Sequence, residues 1–366
     1  MTQSRHTGVR ASRKANSRTV VNERVSRSYA EVVRVFRSGF HEGSHFGSVV
    51  ITGPDGRVQH QRGDVWTPVF PRSSNKPFQA VSMLVSGAPL DGEDLALAAA
   101  SHSGEPRHVE RALAILERAG LTEDDLQCPP ALPLNEVARN AVIADGGGPR
   151  RIYMNCSGKH AGMLAACVAR GWDISNYLDP EHPLQRLVAE TVSRLSDETP
   201  TAVGIDGCGA PLFAIPLEAL ARAFGRVNAA PAGAPEHRVA HAMREYPEMV
   251  GGTGRDDTVL MRAFPGLLVK GGAEGVHCAA LPDGHCVAVK IADGGDRARM
   301  PVLVGGLRRL GLGSGPGTGT GFLAASGADH AGQPSEAEQL LEELGTGAVL
   351  GGGFQVGTVE LAPDVF

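Results

Sequence analysis

Two similar strand-turn-strand patterns lie far apart in this chain, and they limit the folds that it can adopt. Early in the chain, EVVRVFRSG is followed by GSVVITG, a Pro-Asp-Gly turn at 54–56 and RVQHQRG. Late in the chain, GVHCAAL, Pro-Asp-Gly at 282–284 and CVAVKIAD repeat the arrangement, and FQVGTVEL predicts a final strand. Short turns between strand-like runs predict antiparallel hairpins.

The sequence between these hairpins is mostly helical. The predicted helices span residues 75–86, 92–100, 105–119, 134–144, 159–170, 183–195 and 217–224, and another follows Asp296. Strands at both ends with helices between them predict an α+β fold. In this fold, one antiparallel sheet is formed from both ends of the chain and carries an inserted helical subdomain.

Composition narrows the class of protein. The chain has 366 residues, of which 42 % are hydrophobic and 20 % charged, as is typical of a globular protein in water. No apolar run has the roughly 18 residues of a membrane span, and no export signal is evident, so we expect a cytoplasmic protein without a membrane partner. The net charge of −5 argues against nucleic acid as a partner. The six cysteines are too sparse for a disulfide framework and indicate reduced thiols.

Two segments differ from the rest. Residues 1–28 carry seven Arg or Lys and a single acid, which predicts a basic, disordered tail before one domain at 29–366. The Gly-rich SGPGTGTG at 314–321 has no following Gly-Lys-Ser or Gly-Lys-Thr, so we interpret it as a loop and not as a phosphate site. The acidic run at 335–345 predicts a surface helix.

The stretch PRSSNKPFQ places Ser73 three residues before Lys76, where a helix is expected to begin near Ser74 with Pro77 in its first turn. A serine hydroxyl becomes a strong nucleophile when a neutral amine accepts its proton, and backbone N–H groups at a helix start stabilise an oxyanion. The alternative is that Ser73 or Ser74 only caps the helix and Lys76 is a surface charge.

Four further segments place compact polar groups where apolar structure stops, which is where sites are commonly built. They are ASHSGE with Ser101 and His102, NCSGKHAGM with Cys156, Lys159 and His160, IDGCGAP with Asp206 and Cys208, and LVKGGAEG with Lys270.

These five motifs, in this order, resemble the class 3 L-asparaginases, also called the asparaginase II or thermolabile asparaginase family. The resemblance covers the chain from about Tyr29 to the final strand, and it implies a serine β-lactamase/glutaminase-like fold, a small-molecule substrate and a homodimer. It also implies two Ser-Lys tandems. Ser73 and Lys76 would form the nucleophile-base pair, while Ser101 and Lys270 would orient the substrate or relay protons. Two neighbouring ammonium groups disfavour each other's charge, which would supply the neutral amine.

The resemblance further implies a zinc site formed by Cys156, Lys159 and Cys208, which would serve substrate affinity more than the chemical step. His160 is a rival ligand, because it lies four residues after Cys156 and could share a helical face with it. Asp206 would hold the substrate α-ammonium or a zinc-bound water, with His102 as a further substrate-binding residue. The implied activity is hydrolysis of L-asparagine. A glutaminase, another Ser-x-x-Lys serine hydrolase and a zinc-stabilised binding protein without activity remain alternatives.

Overall fold

The structure is a computed structural model that describes residues 28–313 and 335–366. Its strands are β1 (Ala30–Arg37), β2 (Phe40–Thr52), β3 (Val58–Arg62), β4 (Pro68–Val69), β5 (Val203–Ile205), β6 (Pro211–Phe213), β7 (Ile215–Pro216), β8 (Leu268–Gly272), β9 (Val276–Ala280), β10 (Cys286–Ile291), β11 (Gly347–Gly351) and β12 (Phe354–Leu361).

The α-helices are α1 (Lys76–Val85), α2 (Gly92–Ala98), α3 (Pro106–Arg118), α4 (Glu136–Ala144), α5 (Ser157–Arg170), α6 (Pro183–Ser196), α7 (Leu217–Asn228), α8 (Pro235–Glu245), α9 (Pro247–Val250), α10 (Asp256–Ala263), α11 (Arg299–Arg309) and α12 (Glu336–Gly345). Short 3₁₀ helices span Arg72–Asn75, Glu123–Asp125, Arg151–Tyr153 and Asp296–Ala298.

The main sheet joins strands from both ends of the described chain. Its order is β11-β12-β1-β2-β10-β9-β8, with β3 also paired to β2, and every pairing is antiparallel. Both predicted hairpins form, β2–β3 and β9–β10, and the expected final strand is β12. Strands β2 and β10 pair directly from Gly47 and Ile291 to Thr52 and Cys286, which ties the two ends together. The predicted α+β class with a helical insertion is therefore confirmed.

Helices cover both faces of this sheet. Neighbouring strand residues point to opposite faces, and two of them meet different helices. A Cβ added at Gly225 of α7 would lie 3.6 Å from the Cβ of Cys286, whereas one at Gly306 of α11 would lie 2.6 Å from Val287 Cγ1. Coverage on both faces explains why β10 is almost wholly apolar and buried.

The predicted helices form with small shifts at their ends. Helix α5 begins at Ser157, two residues before the expected start, and α7 continues to Asn228, four residues past the expected end. Helices α8, α9 and α10 were missed, because their many charged and proline residues mask the apolar period. The acidic run forms α12, where Ser335 caps the helix and Leu341 is buried.

Two predicted segments cannot be placed. Residues 1–27 of the expected tail and the Gly-rich stretch at 314–321 lie outside the described ranges. Within those ranges, no helix has both the length and the apolar character needed to cross a lipid bilayer.

Candidate active site

The turn that carries Ser73 is a 3₁₀ helix that leads into α1, so the α-helix begins at Lys76 and the predicted start was close. Arg72 has a φ of 51°, a left-handed conformation that side-chain-bearing residues adopt only when their surroundings hold them. One such support is visible: Arg72 Nε donates to Asp206 Oδ1 at 2.8 Å in a mostly buried ion pair. The turn that presents Ser73 is therefore held by a residue 134 positions away in the sequence.

Lys76 connects three of the predicted motifs. Its Nζ is buried and donates to Ser101 Oγ at 2.8 Å, to Cys156 Sγ at 3.1 Å and to the Ala100 carbonyl. Ser73 is half-buried, and no hydrogen bond reaches its Oγ from residues 28–313 or 335–366. The lysine base candidate thus contacts the serine of the second predicted pair and not the one three residues before it.

Cys156 and Cys208 come together although they are far apart in sequence. The neighbouring Cys208 side chain raises the pKa of Cys156 well above its usual value, and the neighbouring Cys156 side chain lowers that of Cys208. Lys159 Nζ lies 3.0 Å from Cys208 Sγ, and although burial alone would lower its pKa, the neighbouring Cys208 and Cys156 sulfurs raise it. The three predicted zinc ligands are therefore clustered.

His160 approaches the same cluster from α5. Its Nδ1 is 2.7 Å from the Tyr177 hydroxyl, while its buried Nε2 has no hydrogen-bond partner within the described residues. Burial lowers the pKa of His160, with the Cys208 sulfur opposing that effect. The imidazole is therefore neutral near pH 7, with one nitrogen oriented by Tyr177 and the other unused.

The donor types in this cluster suit zinc, which prefers sulfur and nitrogen ligands. The unused, buried Nε2 of His160 is consistent with a missing partner at this place. Over the described ranges, however, no three His, Cys, Asp or Glu side chains form a group that could hold a metal ion. This counts against a preformed site of Cys156, His160 and Cys208, and it leaves two sulfurs and the Lys159 amine as the candidate set.

Lys270 lies on the edge strand β8 and is buried. Its Nζ donates to Asp257 Oδ2 at 3.0 Å and to the Gly271 carbonyl at 2.8 Å. The expected direct pairing of Ser101 with Lys270 is not seen, because each of them has another partner. The backbone of β8 still belongs to the site, since Ser74 Oγ donates to the Lys270 carbonyl at 3.0 Å.

His102 is fully buried and both of its ring nitrogens are used. Nε2 is 2.9 Å from Ser157 Oγ, Nδ1 accepts from the Gly104 N–H at 3.2 Å, and the ring stacks on His108. Burial holds the pKa of His102 well below its ordinary value. Direct substrate binding, which the sequence suggested, is therefore disfavoured, and the ring instead supports the segment after Ser101 and the start of α5.

The other four cysteines are not among the predicted zinc ligands. All six cysteines are free thiols, and Cys128, Cys167, Cys278 and Cys286 are buried. Burial raises the pKa of the Cys128 thiol to about 11 and that of Cys167 to about 12. They fit the structural role expected for them.

Sequence reasoning missed Asp257, His277, Tyr177 and Arg72. All four act on residues that are 13 or more positions away, so no local spacing could reveal the contact. Arg72 lies inside the PRSSNKPFQ motif, but its role in the turn is evident only from its left-handed backbone conformation.

Comparison with known proteins identifies the family. A sequence model of L-asparaginase II matches residues 33–336. No curated protein matches. Similar solved structures include a β-lactamase from Mycobacterium bovis, with 15 % identity over 69 % of this chain and 89 % of the other and a TM-score of 0.38. Simvastatin synthase from Aspergillus terreus has 12 % identity over 67 % of this chain and 86 % of the other, with a TM-score of 0.31. Similarity at that level identifies no substrate, but the match over most of the sequence shows that this chain belongs to the L-asparaginase II family.

Proposed function

We propose that this protein hydrolyses the side-chain amide of L-asparagine to L-aspartate and ammonia through a serine ester intermediate. One observation carries the proposal: the buried Lys76 amine contacts Ser101 Oγ at 2.8 Å, beside the fixed turn that presents Ser73. A hydroxyl next to a buried amine is the arrangement that serine activation by lysine requires.

In the proposed first step, Ser73 Oγ forms a bond to the amide carbon and its proton passes to the Lys76 amine. Backbone N–H groups at the start of the helix stabilise the oxyanion. The C–N bond then breaks, the amide nitrogen takes the proton from Lys76, and ammonia leaves. Water adds to the β-aspartyl ester and gives a proton to Lys76, and Lys76 returns it to Ser73 Oγ as the ester C–O bond breaks and aspartate leaves.

Ser101 has two possible parts in this scheme. As the direct hydrogen-bond partner of Lys76, it can relay the proton between Ser73 and the amine. The same contact makes Ser101 the second candidate nucleophile. Substituting each serine separately distinguishes the two roles, because the ester still forms on Ser73 if Ser101 only relays the proton.

Asp206 is the proposed partner of the substrate α-ammonium. Its carboxylate is mostly buried and already oriented by Arg72, and Cys208 Sγ lies 3.7 Å from its Oδ2. An ordered carboxylate next to the nucleophile turn loses little freedom when a cationic group binds. The Asp206→Asn variant should therefore raise KM for asparagine more than it lowers kcat.

Zinc is the proposed cofactor, held by Cys156, Cys208 and a deprotonated Lys159. When bound, it would supply a fixed positive centre beside the substrate. A role in affinity alone predicts that chelation raises KM and leaves kcat largely intact, and a loss of kcat would reject that role. Metal content measured with and without chelation tests the occupancy directly.

We also propose that the protein is a cytoplasmic homodimer. Light scattering of the purified protein measures its mass in solution and so tests the dimer.

The decisive experiment measures ammonia release from L-asparagine by wild type, Ser73→Ala, Ser101→Ala and, as a control at the C-terminal end of α1, Ser86→Ala. Circular dichroism verifies folding, and mass spectrometry of quenched enzyme locates the ester. We expect Ser73→Ala to lose several orders of magnitude in kcat and to form no ester. An ester found on Ser101 would instead identify Ser101 as the nucleophile.

Parallel assays with L-glutamine and a chromogenic β-lactam define the substrate. One methylene changes specificity by only about 1 to 3 kcal/mol, so asparagine preference needs this direct comparison. Faster turnover of glutamine would assign a glutaminase, and turnover of the β-lactam alone another serine hydrolase. If no amide is cleaved and Cys156→Ala only lowers thermal stability, the protein is a zinc-stabilised binding protein.

A further inference from the structure

The buried carboxylate of Asp257 contacts Lys270, and it has no role in the mechanism above. Asp257, in the first turn of α10, contacts Lys270 Nζ through Oδ2 at 3.0 Å and His277 Nε2 through Oδ1 at 2.9 Å. Its oxygens also accept from the Gly271 N–H at 3.0 and 3.1 Å. The carboxylate is therefore held from two strands, β8 and β9, as well as from its own helix.

The geometry at Lys270 defines what its Nζ can do. Two donated hydrogen bonds go to the Asp257 carboxylate and to the Gly271 carbonyl. A neutral amine would then present a lone pair in the remaining direction, whereas an ammonium group would present a third N–H. A buried carboxylate at 3.0 Å favours the ammonium form, because the carboxylate would otherwise be a buried charge without its cation.

We propose that Asp257 is a positioning residue that keeps Lys270 as an ammonium ion with one free N–H, so that Lys270 acts as a charged donor and not as a base. The proposal rests on the proposed hydrolase function. Lys76 accepts the serine proton, and Lys270 donates to the substrate or to the developing negative charge.

Several charged or titratable groups face Lys270. Burial is the largest cause that lowers the pKa of Lys270, Asp257 opposes it, and Lys76 and Arg255 lower it further. Cys278 on β9 also interacts with Lys270, and burial raises the pKa of that thiol. Burial alone would raise the pKa of Asp257, but Lys270 and His277 hold it well below its ordinary value. Asp257 is thus the acid among these groups that retains the Lys270 charge.

The proposal predicts the direction in which the pKa of Lys270 changes when Asp257 is replaced. Without the carboxylate, burial and the neighbouring cations favour the neutral amine, so the pKa of Lys270 should fall in Asp257→Asn by about one unit or more. A charged donor is then lost at lower pH, and the alkaline limb of kcat/KM should move to lower pH. If Lys270 were a base, the same variant would increase the active neutral form and raise activity at neutral pH.

The direct test is a titration of lysine ¹³Cε signals by NMR in wild type and Asp257→Asn. The chain has five lysines, so the Lys270 signal can be assigned with Lys270→Met. Asp256→Asn is the matched control, because this neighbouring carboxylate does not contact Lys270. We expect Lys270 to remain charged in wild type over the pH range in which Asp257→Asn titrates, and the pH profile of ammonia release to move in parallel.

Each outcome bears on the proposal. A neutral Lys270 in wild type at neutral pH overturns it, as does an unchanged titration in Asp257→Asn. If Asp257→Asn fails to fold, the wild-type titration alone still decides the protonation state, and Asp257→Glu supplies a variant that keeps the charge. If wild type cleaves no amide, the proposed function fails, while the NMR result stands independently.

Discussion

Gly272 on β8 lies against the turn that presents Ser73, and a methyl group placed there should disturb the proposed catalysis without changing a side chain of the proposed mechanism. A Cβ at this position would lie 2.8 Å from the Pro71 carbonyl oxygen, 3.1 Å from Ser74 Oγ and 3.2 Å from the Ser73 backbone nitrogen. The φ of Gly272 lies outside the left-handed region, so alanine meets a steric obstacle here and not a conformational one.

The size of the effect follows from these distances. Carbon-to-oxygen contacts are ordinarily about 3.3 Å or longer, so the Pro71 carbonyl must move by roughly 0.5 Å. Overpacking of this kind costs about 1 to 3 kcal/mol of stability. A displacement of about 1 Å can cost roughly 100-fold in rate, so half of it should cost about tenfold, or about 1.4 kcal/mol of transition-state stabilisation.

The assay is steady-state ammonia release by wild type, Gly272→Ala and Gly43→Ala, with thermal unfolding of each. Gly43 is the control because a Cβ added there, on β2, meets no atom within 4 Å. We expect kcat to fall about tenfold in Gly272→Ala alone. A folded Gly272→Ala enzyme with wild-type kcat and KM would refute the placement of Ser73 at the reacting centre.

Three other changes have defined outcomes. Lys76→Met removes the amine that contacts Ser101, and kcat should fall by roughly 10² to 10⁴ while circular dichroism stays native. Cys208→Ser should lose zinc in equilibrium dialysis followed by elemental analysis, and equal zinc in both proteins would exclude this ligand. Burial alone would raise the pKa of Glu105, but hydrogen bonds from Thr253 make it lower than usual. Its contribution to stability is therefore present above the unfolded value of about 4.3 and is lost as pH falls through the folded value. Denaturant unfolding from pH 6 to 3 should show a smaller acid loss in Glu105→Gln, whereas the exposed-site control Glu110→Gln should behave like wild type.

Much of the fold could be predicted from the sequence because local patterns of apolar and turn residues specify it. Alternating apolar residues around the turns at 54–56 and 282–284 identify two hairpins whatever surrounds them. Helices with clear apolar periods, such as α3 and α6, were found to within one residue. Helix α8 was missed because its mean hydropathy is low and its burial comes from packing against α1 and α2. Local propensity does not contain that information.

The ordered motifs also predicted segments that the fold brings into contact. Contacts of Lys76 with Cys156 and of Arg72 with Asp206 join two of these motifs to PRSSNKPFQ. What the motifs did not specify was the pairing of side chains inside the site.

The sequence by itself determined the strand and helix patterns, the sheet formed from both ends of the chain, and the five segments that carry polar chemistry. Only the tertiary structure decided that Lys76 contacts Ser101, that Asp257 holds Lys270, and that His102 is buried. The physical reason is that periodicity reports which face of an element is apolar. A hydrogen bond instead requires two atoms within about 3 Å, and their separation depends on how distant elements pack.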